Sequence, residues 1–223
     1  MKELGIFFLY HGDIESGINA IHSAAIRAHA PDCELIPLSF KTTSVASEQA
    51  RASERENIDV LVWSYCQNQE LTCKRYLVVE SDTLVTQHPR EFFGGHWDKD
   101  VVGSVIVNPN SLKQIIPNYI YPTEWFWFWK GIENEYQTHH TIMRGMIPVF
   151  GLFSQRAIKD MTDTYFSTPW INKCFCECRL GTLASLAGYE PVSFDSNTAH
   201  TKVWAGPYPV VVKGPGIWHP VKT

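Results

Sequence analysis

One stretch of the sequence decides the fold: Tyr76-Leu77-Val78-Val79-Glu80-Ser81-Asp82. Its apolar residues predict a short buried strand, and this strand ends in two carboxylates, Glu80 and Asp82. In α/β sheets, side chains at the carboxyl ends of parallel strands line the crevice where ligands bind. Carboxylate oxygens in that place suit Mg²⁺ or Mn²⁺, whose coordination is usually completed by substrate phosphates and water. The alternative is that both carboxylates only solvate a strand end and cap the next turn.

The front half of the chain alternates between strand-like and helix-like patterns. Strands are predicted at residues 5–10, 34–40, 59–63, 75–79 and 101–107. Helices are predicted at 14–30, from the spacing of Ile14, Ile18, Ile21 and Ala25, and at 44–55. Strands separated by helices of this length imply crossover connections and a mainly parallel sheet. The predicted fold class is therefore α/β.

The back half loses this rhythm between residues 117 and 175, where turn residues and aromatic residues are mixed. A further helix is predicted at 173–187, with Gly188 just past its end, and short strands are predicted at 191–194 and 208–212. The chain has 223 residues, 44% of them hydrophobic, which is enough for one domain with a sizeable core. Since no repeat or linker divides the sequence, we predict a single domain over residues 1–223.

Charge and hydropathy exclude two classes of protein. The formal net charge is −4 and there is no basic run, which argues against a nucleic-acid partner. The first apolar run, residues 5–10, is far shorter than the roughly 20 residues of a membrane helix, and no signal-peptide cleavage pattern follows it. We therefore predict a cytoplasmic protein without a transmembrane segment.

The six cysteines lack the spacing of a disulfide scaffold. Three of them, Cys174, Cys176 and Cys178, lie close enough together to raise the question of zinc, but a second pair of ligands is missing. We expect buried or helix-face thiols at these positions.

The order of elements and the segment that ends in Glu80-Ser81-Asp82 resemble the nucleotide-sugar glycosyltransferases of the GT-A fold. In that family a strand of the type YLVLDSD ends in the metal-binding D-x-D motif, and a short helix like the one expected at 89–93 follows. The resemblance implies that Asp82 binds Mn²⁺ or Mg²⁺, that Glu80 contacts the metal or the donor's ribose, and that Ser81 lies in the donor site. Glu80 departs from the family's first aspartate, since it keeps the charge on a longer side chain. The resemblance also implies a nucleotide-sugar-binding half at 1–110 and an acceptor-side half at 111–223.

Residues near the end of the chain match the family pattern as well. His219 is similar to the C-terminal histidine that many members supply as a further metal ligand, and Lys222 would bind the diphosphate. Glu177 precedes a segment similar to the family pattern LGxLAxxAG, and inverting members use this acid as the general base toward the acceptor hydroxyl. The alternatives are a histidine without a ligand role near a chain end, and a first-turn glutamate that the helix dipole favours or that Arg179 pairs with.

Residues beside other strands complete the donor site that the resemblance implies. Tyr10 and His11 follow the first strand and Tyr65 follows the predicted third strand, in loops that the family uses for the nucleobase and the ribose. Lys74 precedes the carboxylate strand, where it would steer the diphosphate. Gly151 resembles the glycine of the loop that shapes the family's sugar pocket. An ordinary structural role is the alternative for each of these residues.

Nearly half of the Trp, Tyr and Phe residues of the chain lie between Tyr119 and Phe175. Residues 125–129 are five consecutive aromatics, among which Trp125, Trp127 and Trp129 are predicted to contact a glycan acceptor. Flat aromatic rings suit the apolar faces of sugar rings, and an acceptor crevice needs such walls. The alternatives are core packing with burial in an oligomer, and an interfacial membrane contact.

The function that these residues predict is metal-dependent glycosyl transfer with Mn²⁺ or Mg²⁺ as cofactor. The donor would be a UDP- or GDP-sugar, the acceptor a glycan or another hydroxyl compound, and the reaction inverting, with Glu177 as the base. Two other classes stay open: a non-catalytic nucleotide- or glycan-binding module of the same fold, and a metal-dependent nucleotide phosphohydrolase. The lack of a further acidic cluster in the sequence counts against the two-metal site of a phosphohydrolase.

Overall fold

The computed structural model describes residues 1–39, 58–103, 106–107, 138–139, 145–146, 150–174, 176–194, 201–203 and 214–219. The strands are β1 (Lys2–Tyr10), β2 (Glu34–Ser39), β3 (Cys73–Glu80), β4 (Leu84–Val85), β5 (Val101–Gly103), β6 (Ile106–Val107), β7 (Gly145–Met146), β8 (Phe150–Ser154), β9 (Val192–Ser193), β10 (Thr201–Val203) and β11 (Ile217–His219). The helices are α1 (Gly17–His29), α2 (Val60–Asn68), α3 (Pro89–Phe93), α4 (Gln155–Ser167) and α5 (Cys176–Leu186), with 3₁₀ turns at Gly94–His96 and Pro169–Lys173. The helix predicted at 44–55 and the strand predicted at 208–212 lie outside the described residues.

A six-stranded sheet with the order β2-β1-β3-β8-β5-β9 forms the centre of the fold. β1 is parallel to β2 and β3, β5 is parallel to β9, and β8 is antiparallel to its neighbours β3 and β5. Tyr10 pairs with Ser39 and Leu9 pairs with Glu80, so β1, β2 and β3 end together. We call this side of the sheet the carboxyl edge and the opposite side the amino edge. The predicted mainly parallel α/β fold is confirmed.

Both faces of the sheet are buried, which accounts for the continuous apolar runs in β1 and β3. On one face Phe7, Tyr76 and Phe153 pack with residues of α2, α4 and α5. On the other face Phe8 and Val79 pack with residues of α1, α3 and β11. The sheet therefore lies between two apolar layers, and these layers fix the position of its carboxyl edge.

Residues 59–63, predicted as a strand, form the start of helix α2 instead. All side chains from Val60 to Trp63 are buried, so this run shows no helical period in the sequence. The indole Nε1 of Trp63 donates to Asp59 Oδ2 at 2.9 Å, across one turn of the helix. The prediction was wrong because burial on several sides outweighs the strand preference of β-branched residues.

Two other element boundaries differ from the prediction. The strand predicted at 101–107 is divided, because β5 belongs to the central sheet and β6 pairs with β7 in a separate sheet. The helix predicted at 173–187 starts only at Cys176, after a 3₁₀ turn. Gly188 follows this helix with φ of +85°, the left-handed conformation expected of a glycine just past a helix end. Among the helices of the described ranges, none has the length and apolar composition of a membrane span.

Helix α1 buries a different face from the one that its apolar spacing predicts. Its buried residues are Asn19, His22, Ser23 and Ile26, whereas Ile21 is 50% exposed. The helix therefore turns a mainly polar face into the protein. Sequence periodicity alone could not show this, because it assumes that the buried face is the apolar one.

Gly151, predicted in a loop that approaches a donor sugar, lies within β8, where it pairs with Val78 and Gly103. A Cβ atom at Gly151 would lie 2.7 Å from the ring of Phe153 and 2.9 Å from Cε of Met146. A Cβ atom at Gly103 would lie 2.6 Å from Cγ of Met146. The loop prediction was wrong, and both glycines instead make room for the buried Met146 side chain.

Candidate functional site

A tight turn follows β3 at the carboxyl edge. The backbone N–H of Thr83 donates to the carbonyl oxygen of Glu80 at 2.9 Å, which closes the turn. Glu80, Ser81 and Asp82 are half-buried, and Thr83 is buried. The main chain that bears the two carboxylates is therefore ordered, while their side chains keep access to the edge of the sheet.

The loop after β1 lies beside this turn. Since the ends of β1 and β3 are in register, Tyr10 and His11 leave the sheet at the level of Glu80. Tyr10 is half-buried, and His11 is exposed. The structure thus brings these two predicted donor contacts to the same edge as the carboxylates.

His219 is distant in sequence, but its backbone lies next to the same turn. β11 pairs antiparallel with β4, with Trp218 opposite Leu84. Continuing this register by one residue sets the backbone of His219 opposite Thr83, the residue after Asp82. Strand pairing therefore sets the backbone of His219, the predicted third metal ligand, next to the backbone of the carboxylate turn.

Hydrogen bonds anchor the segment that leads into β11. The backbone N–H of Thr86 donates to the Gly216 carbonyl at 2.8 Å, and the Thr86 hydroxyl donates to the Gly214 carbonyl at 2.9 Å. Trp218 is 2% exposed and donates from Nε1 to the same Gly214 carbonyl at 3.2 Å. Gly214 has φ of +127°, a conformation that favours glycine. The strand that carries His219 is therefore held against β4.

Lys74 and Tyr65 lie away from the carboxyl edge, so two predicted donor contacts lose their geometric basis. Lys74 is the second of eight residues in β3, about 20 Å along the strand from the carboxyl edge. Its Nζ lies 2.9 Å from Glu3 Oε2. Tyr65 belongs to α2 rather than to a loop after a strand, and its ring packs edge-on against Phe7 at 5.3 Å. Burial raises the pKa of Tyr65, and the charge of Glu34 at the start of β2 adds to this effect.

Glu177 is the second residue of α5, and a buried ion pair fixes this part of the helix. Arg179 donates from Nε to Asp59 Oδ2 at 2.8 Å and from Nη2 to Asp59 Oδ1 at 2.5 Å. Its Nη1 donates to the Cys174 carbonyl at 2.9 Å. Burial alone lowers the pKa of Arg179, but the charge and hydrogen bonds of Asp59 outweigh burial, so the pKa is raised. Asp59 is thus the buried partner of Arg179, a pairing that the sequence did not indicate.

Several predicted contacts cannot be placed. Lys222 and the aromatic residues Trp125, Trp127 and Trp129 lie outside the described residues. For Glu177 and His219 the structure describes the backbone and not the side chain. The roles of these residues stay predictions.

Among the described residues, Asp32, Cys33 and His88 form a group whose ligand atoms all lie within 4.8 Å of one another, close enough to hold a metal ion. His88 Nδ1 accepts from the backbone N–H of Arg90 at 3.2 Å, so in the neutral ring the proton is on Nε2. That Nε2 donates to Asp32 Oδ1 at 3.0 Å, and this hydrogen bond is the main cause of the lowered pKa of Asp32. In this arrangement Nε2 has no lone pair for a metal. The group also lies at the amino edge, next to the start of β2, away from Asp82.

The six cysteines all lie within the described residues, and none forms a disulfide. Cys33 and Cys66 are half-buried, and the other four thiols are buried. Burial is the main cause that raises the pKa of Cys33 and of Cys66 to about 12. Cys174, Cys176 and Cys178 are 2%, 2% and 1% exposed, which agrees with the expectation of buried thiols.

Solved structures with a similar fold are glycosyltransferases. A glycosyltransferase involved in glycosylation of the major capsid of PBCV-1 matches with a TM-score of 0.50 at 9% identity, over 88% of this chain and 84% of the other. The galactosyltransferase LgtC, in complex with donor and acceptor sugar analogs, matches with a TM-score of 0.47 at 11% identity, over 80% of this chain and 70% of the other. Mouse xyloside xylosyltransferase 1 matches with a TM-score of 0.46 at 9% identity, over 86% of this chain and 85% of the other. No protein-family model and no curated protein sequence matches the chain.

The match to the capsid glycosyltransferase shows the fold of this chain. The mixed α/β architecture, with its mainly parallel central sheet and its flanking helices, is that of GT-A-like glycosyltransferases. At this level of identity the likeness extends to the fold alone.

Proposed function

We propose that this protein is a metal-dependent glycosyltransferase, which moves a sugar from a UDP- or GDP-sugar to a hydroxyl group of a glycan or another acceptor. The observation that carries the proposal is the pairing of β11 with β4. This pairing sets the backbone of His219 beside the turn that bears Glu80 and Asp82. The turn lies at the edge of the sheet where α/β folds bind ligands, and the GT-A-like topology supports the same assignment.

The residues at this edge fit a divalent cation. Asp82 and Glu80 offer carboxylate oxygens and His219 offers an imidazole nitrogen, a set of ligands that suits Mn²⁺ and, through the oxygens, Mg²⁺. The ordered turn and the half-buried state of both carboxylates support this role. When bound, the ion would neutralise negative charge on the diphosphate of the leaving nucleotide.

The chain's own residues would hold the rest of the donor. Tyr10 and His11 contact the base and the ribose from the end of β1, and Ser81 lies between the two carboxylates on the turn. Lys222 supplies a positive charge to the diphosphate. Residues 1–110 thereby form the nucleotide-sugar side, and 111–223 the acceptor side, of one domain.

Glu177 is the proposed general base on the acceptor side. Its carboxylate takes the proton of the acceptor hydroxyl as the acceptor oxygen bonds to the anomeric carbon. The bond between that carbon and the nucleotide diphosphate breaks at the same time, and attack from the opposite side inverts the anomeric configuration. The ion pair of Arg179 with Asp59 supports this role, because it orders the first turns of α5. Trp125, Trp127 and Trp129 are the proposed contacts of the acceptor sugar.

Slow hydrolysis of the donor tests the proposal without knowledge of the acceptor. Purified protein with Mn²⁺ and a panel of UDP- and GDP-sugars is expected to release nucleotide, and EDTA is expected to stop the release. Asp82→Asn is expected to abolish it, whereas Asp163→Asn, which removes an exposed carboxylate on α4, is the matched control. No release with any donor, or release that survives Asp82→Asn, would contradict the proposal.

Other results of the same assay identify the alternatives. Nucleotide binding with Mn²⁺ but without sugar release would indicate a non-catalytic binding module. Phosphate release from UDP or GDP themselves would indicate a nucleotide phosphohydrolase. Once an acceptor is known, transfer that is unchanged in Glu177→Gln would exclude Glu177 as the base and favour a retaining mechanism.

A further inference from the structure

Two buried polar side chains on one face of α1 reach two different segments at the carboxyl edge. Asn19 Nδ2 donates to the carbonyl oxygen of His11 at 2.7 Å and to that of Asp13 at 3.0 Å, both in the loop after β1. His22 Nδ1 lies 2.7 Å from the carbonyl oxygen of Ser81, in the turn after β3. One helix thus contacts the main chain on both sides of the candidate site.

The bond between His22 and Ser81 defines the state of the imidazole. A carbonyl oxygen can only accept, so Nδ1 of His22 carries the proton and donates it. The ring is 0% exposed, and within the part of the chain that the structure describes Nε2 has no hydrogen-bond partner. Burial lowers the pKa of His22, although the Ser81 bond and the charge of Asp82 oppose this effect. A leucine would fill this position without burying a polar atom, so the imidazole is explained by the one hydrogen bond that it makes.

Asn19 binds two main-chain carbonyls of the loop after β1. Its amide donates to the carbonyls on both sides of Gly12, whose φ of +81° lies in the left-handed region. The second of these carbonyls, that of Asp13, also accepts from the backbone N–H of Ser16 at 3.3 Å. Asn19 therefore ties the loop after β1 to the start of the helix that also holds the carboxylate turn.

We propose that Asn19 and His22 are positioning residues for the nucleotide-sugar site. Through their bonds to main-chain carbonyls, α1 sets the distance between the loop that follows Tyr10 and bears His11 and the turn that bears Asp82. Neither side chain needs to touch the substrate for this role. The inference rests on the proposed function, because it assigns the two segments to the nucleoside side and the metal side of one site.

Matched variants separate this role from a general contribution to stability. His22→Leu removes the donor to Ser81 and leaves an apolar side chain, and His22→Asn returns an N–H donor at the same distance from the backbone as Nδ1. Asn19→Leu removes both donors to the loop after β1. Ser23→Ala is the control, because Ser23 is buried on the same face of α1, and the hydrogen bond that its hydroxyl makes among the described residues is to the Ala20 carbonyl of its own helix, at 3.2 Å.

Backbone hydrogen exchange of the ligand-free protein measures the coupling itself. His22→Leu is expected to speed exchange of the Thr83 amide about tenfold relative to Ser23→Ala, and His22→Asn to restore slow exchange. Asn19→Leu is expected to speed exchange at Glu15 and Ser16, whose amides bond to Asp13. Acceleration no greater than in the control, or equal acceleration throughout the sheet, would overturn the inference.

Calorimetric titration of Mn²⁺ in the presence of UDP or GDP measures the consequence for the site. His22→Leu is expected to weaken Mn²⁺ binding about tenfold, with recovery in His22→Asn and little change in Ser23→Ala. Unchanged Mn²⁺ affinity in His22→Leu, with a wild-type protein that binds, would overturn the positioning role. A wild-type protein that binds no nucleotide would overturn the proposed function and this role with it. The exchange experiment distinguishes the two failures because it needs no ligand.

Discussion

Arg179 and Asp59 form a buried ion pair that joins α5 to the start of α2. Their side chains are 0% and 2% exposed, and the guanidinium donates to both carboxylate oxygens. Trp63 donates to the same carboxylate at 2.9 Å, and the guanidinium carbon lies 5.9 Å from the ring centroid of Tyr165. The pair thus satisfies two charges that water does not reach. It also fixes the helix on which Glu177 lies.

Breaking this pair on one side is expected to destabilise the protein strongly. Asp59→Asn removes the buried negative charge that Nε and Nη2 of Arg179 contact, and the free energy of unfolding should fall by about 3–5 kcal/mol. Urea denaturation measures the change. The control is Glu3→Gln, which breaks the exposed pair with Lys74, and its effect should be much smaller because water screens that pair.

The double variant Asp59→Leu/Arg179→Met checks the physical cause. Because it removes both charges together, it should lose less stability than the sum of the two single changes. If Asp59→Asn and Glu3→Gln lowered the free energy of unfolding equally, the buried pair would contribute no more to stability than the exposed pair does.

The close contact of Gly103 and Gly151 with the Met146 side chain gives a second prediction about stability. Gly103→Ala is expected to lower the free energy of unfolding by about 1–3 kcal/mol, because its Cβ would lie 2.6 Å from Met146 Cγ. When Met146→Ala is added to Gly103→Ala, the second change should cost less stability than Met146→Ala does alone, because the shorter side chain leaves room for the new Cβ atom. Gly95→Ala, where no heavy atom lies within 4 Å of the added Cβ, is the control. Similar losses at positions 95 and 103 would exclude a steric cause.

The thiols should react slowly, with a rate that rises with pH. Because the pKa of Cys33 and of Cys66 is about 12, only about one thiol in ten thousand is ionised at pH 8. Labelling of the native protein with a thiol reagent should accelerate about tenfold for each pH unit between pH 7 and 10. All six cysteines should react quickly in denaturant. Rapid labelling of the native protein at pH 7 would show that these thiols are not shielded.

The aromatic segment yields a prediction about the acceptor. If its rings bind a sugar, Trp125→Ala and Trp129→Ala should each raise the acceptor KM about three- to tenfold and leave the donor KM unchanged. Phe166→Ala removes a ring that is 41% exposed on α4 and serves as the control. An unchanged acceptor KM in both tryptophan variants would assign these rings to packing.

The strands of the carboxyl edge could be predicted because of where they lie in the fold. β1 lies between β2 and β3 in the sheet, and β1 and β3 are covered on both faces, which leaves continuous apolar runs in the sequence. The same runs end at Tyr10 and Glu80, so the polar residues that follow them point to the edge where ligands bind. This part of the site can be predicted from the local sequence together with the general rule that α/β sheets bind ligands at the carboxyl ends of their strands.

Contacts between distant segments could not be predicted in this way. Nothing in the sequence pairs Asp59 with Arg179 or His22 with Ser81, because a buried polar contact leaves no periodic signal. Lys74 lost its predicted role for a different reason: a residue at the start of a strand lies at its amino end, whereas the carboxylates follow the carboxyl end of β3. Asn19 and His22 lie beside the apolar spacing of Ile14, Ile18 and Ile21 and not on it, so only the structure shows that they are buried.

The measurement that tests the central claim most directly is calorimetric titration of UDP and GDP with and without Mn²⁺. The wild-type protein is expected to bind at least one of these nucleotides with Mn²⁺ and to lose the binding in EDTA. Asp82→Asn is expected to lose it too, while Asp163→Asn binds like the wild type. Binding of neither nucleotide, or binding that is unaffected by both EDTA and Asp82→Asn, would contradict a metal-dependent nucleotide-sugar site at the carboxyl edge.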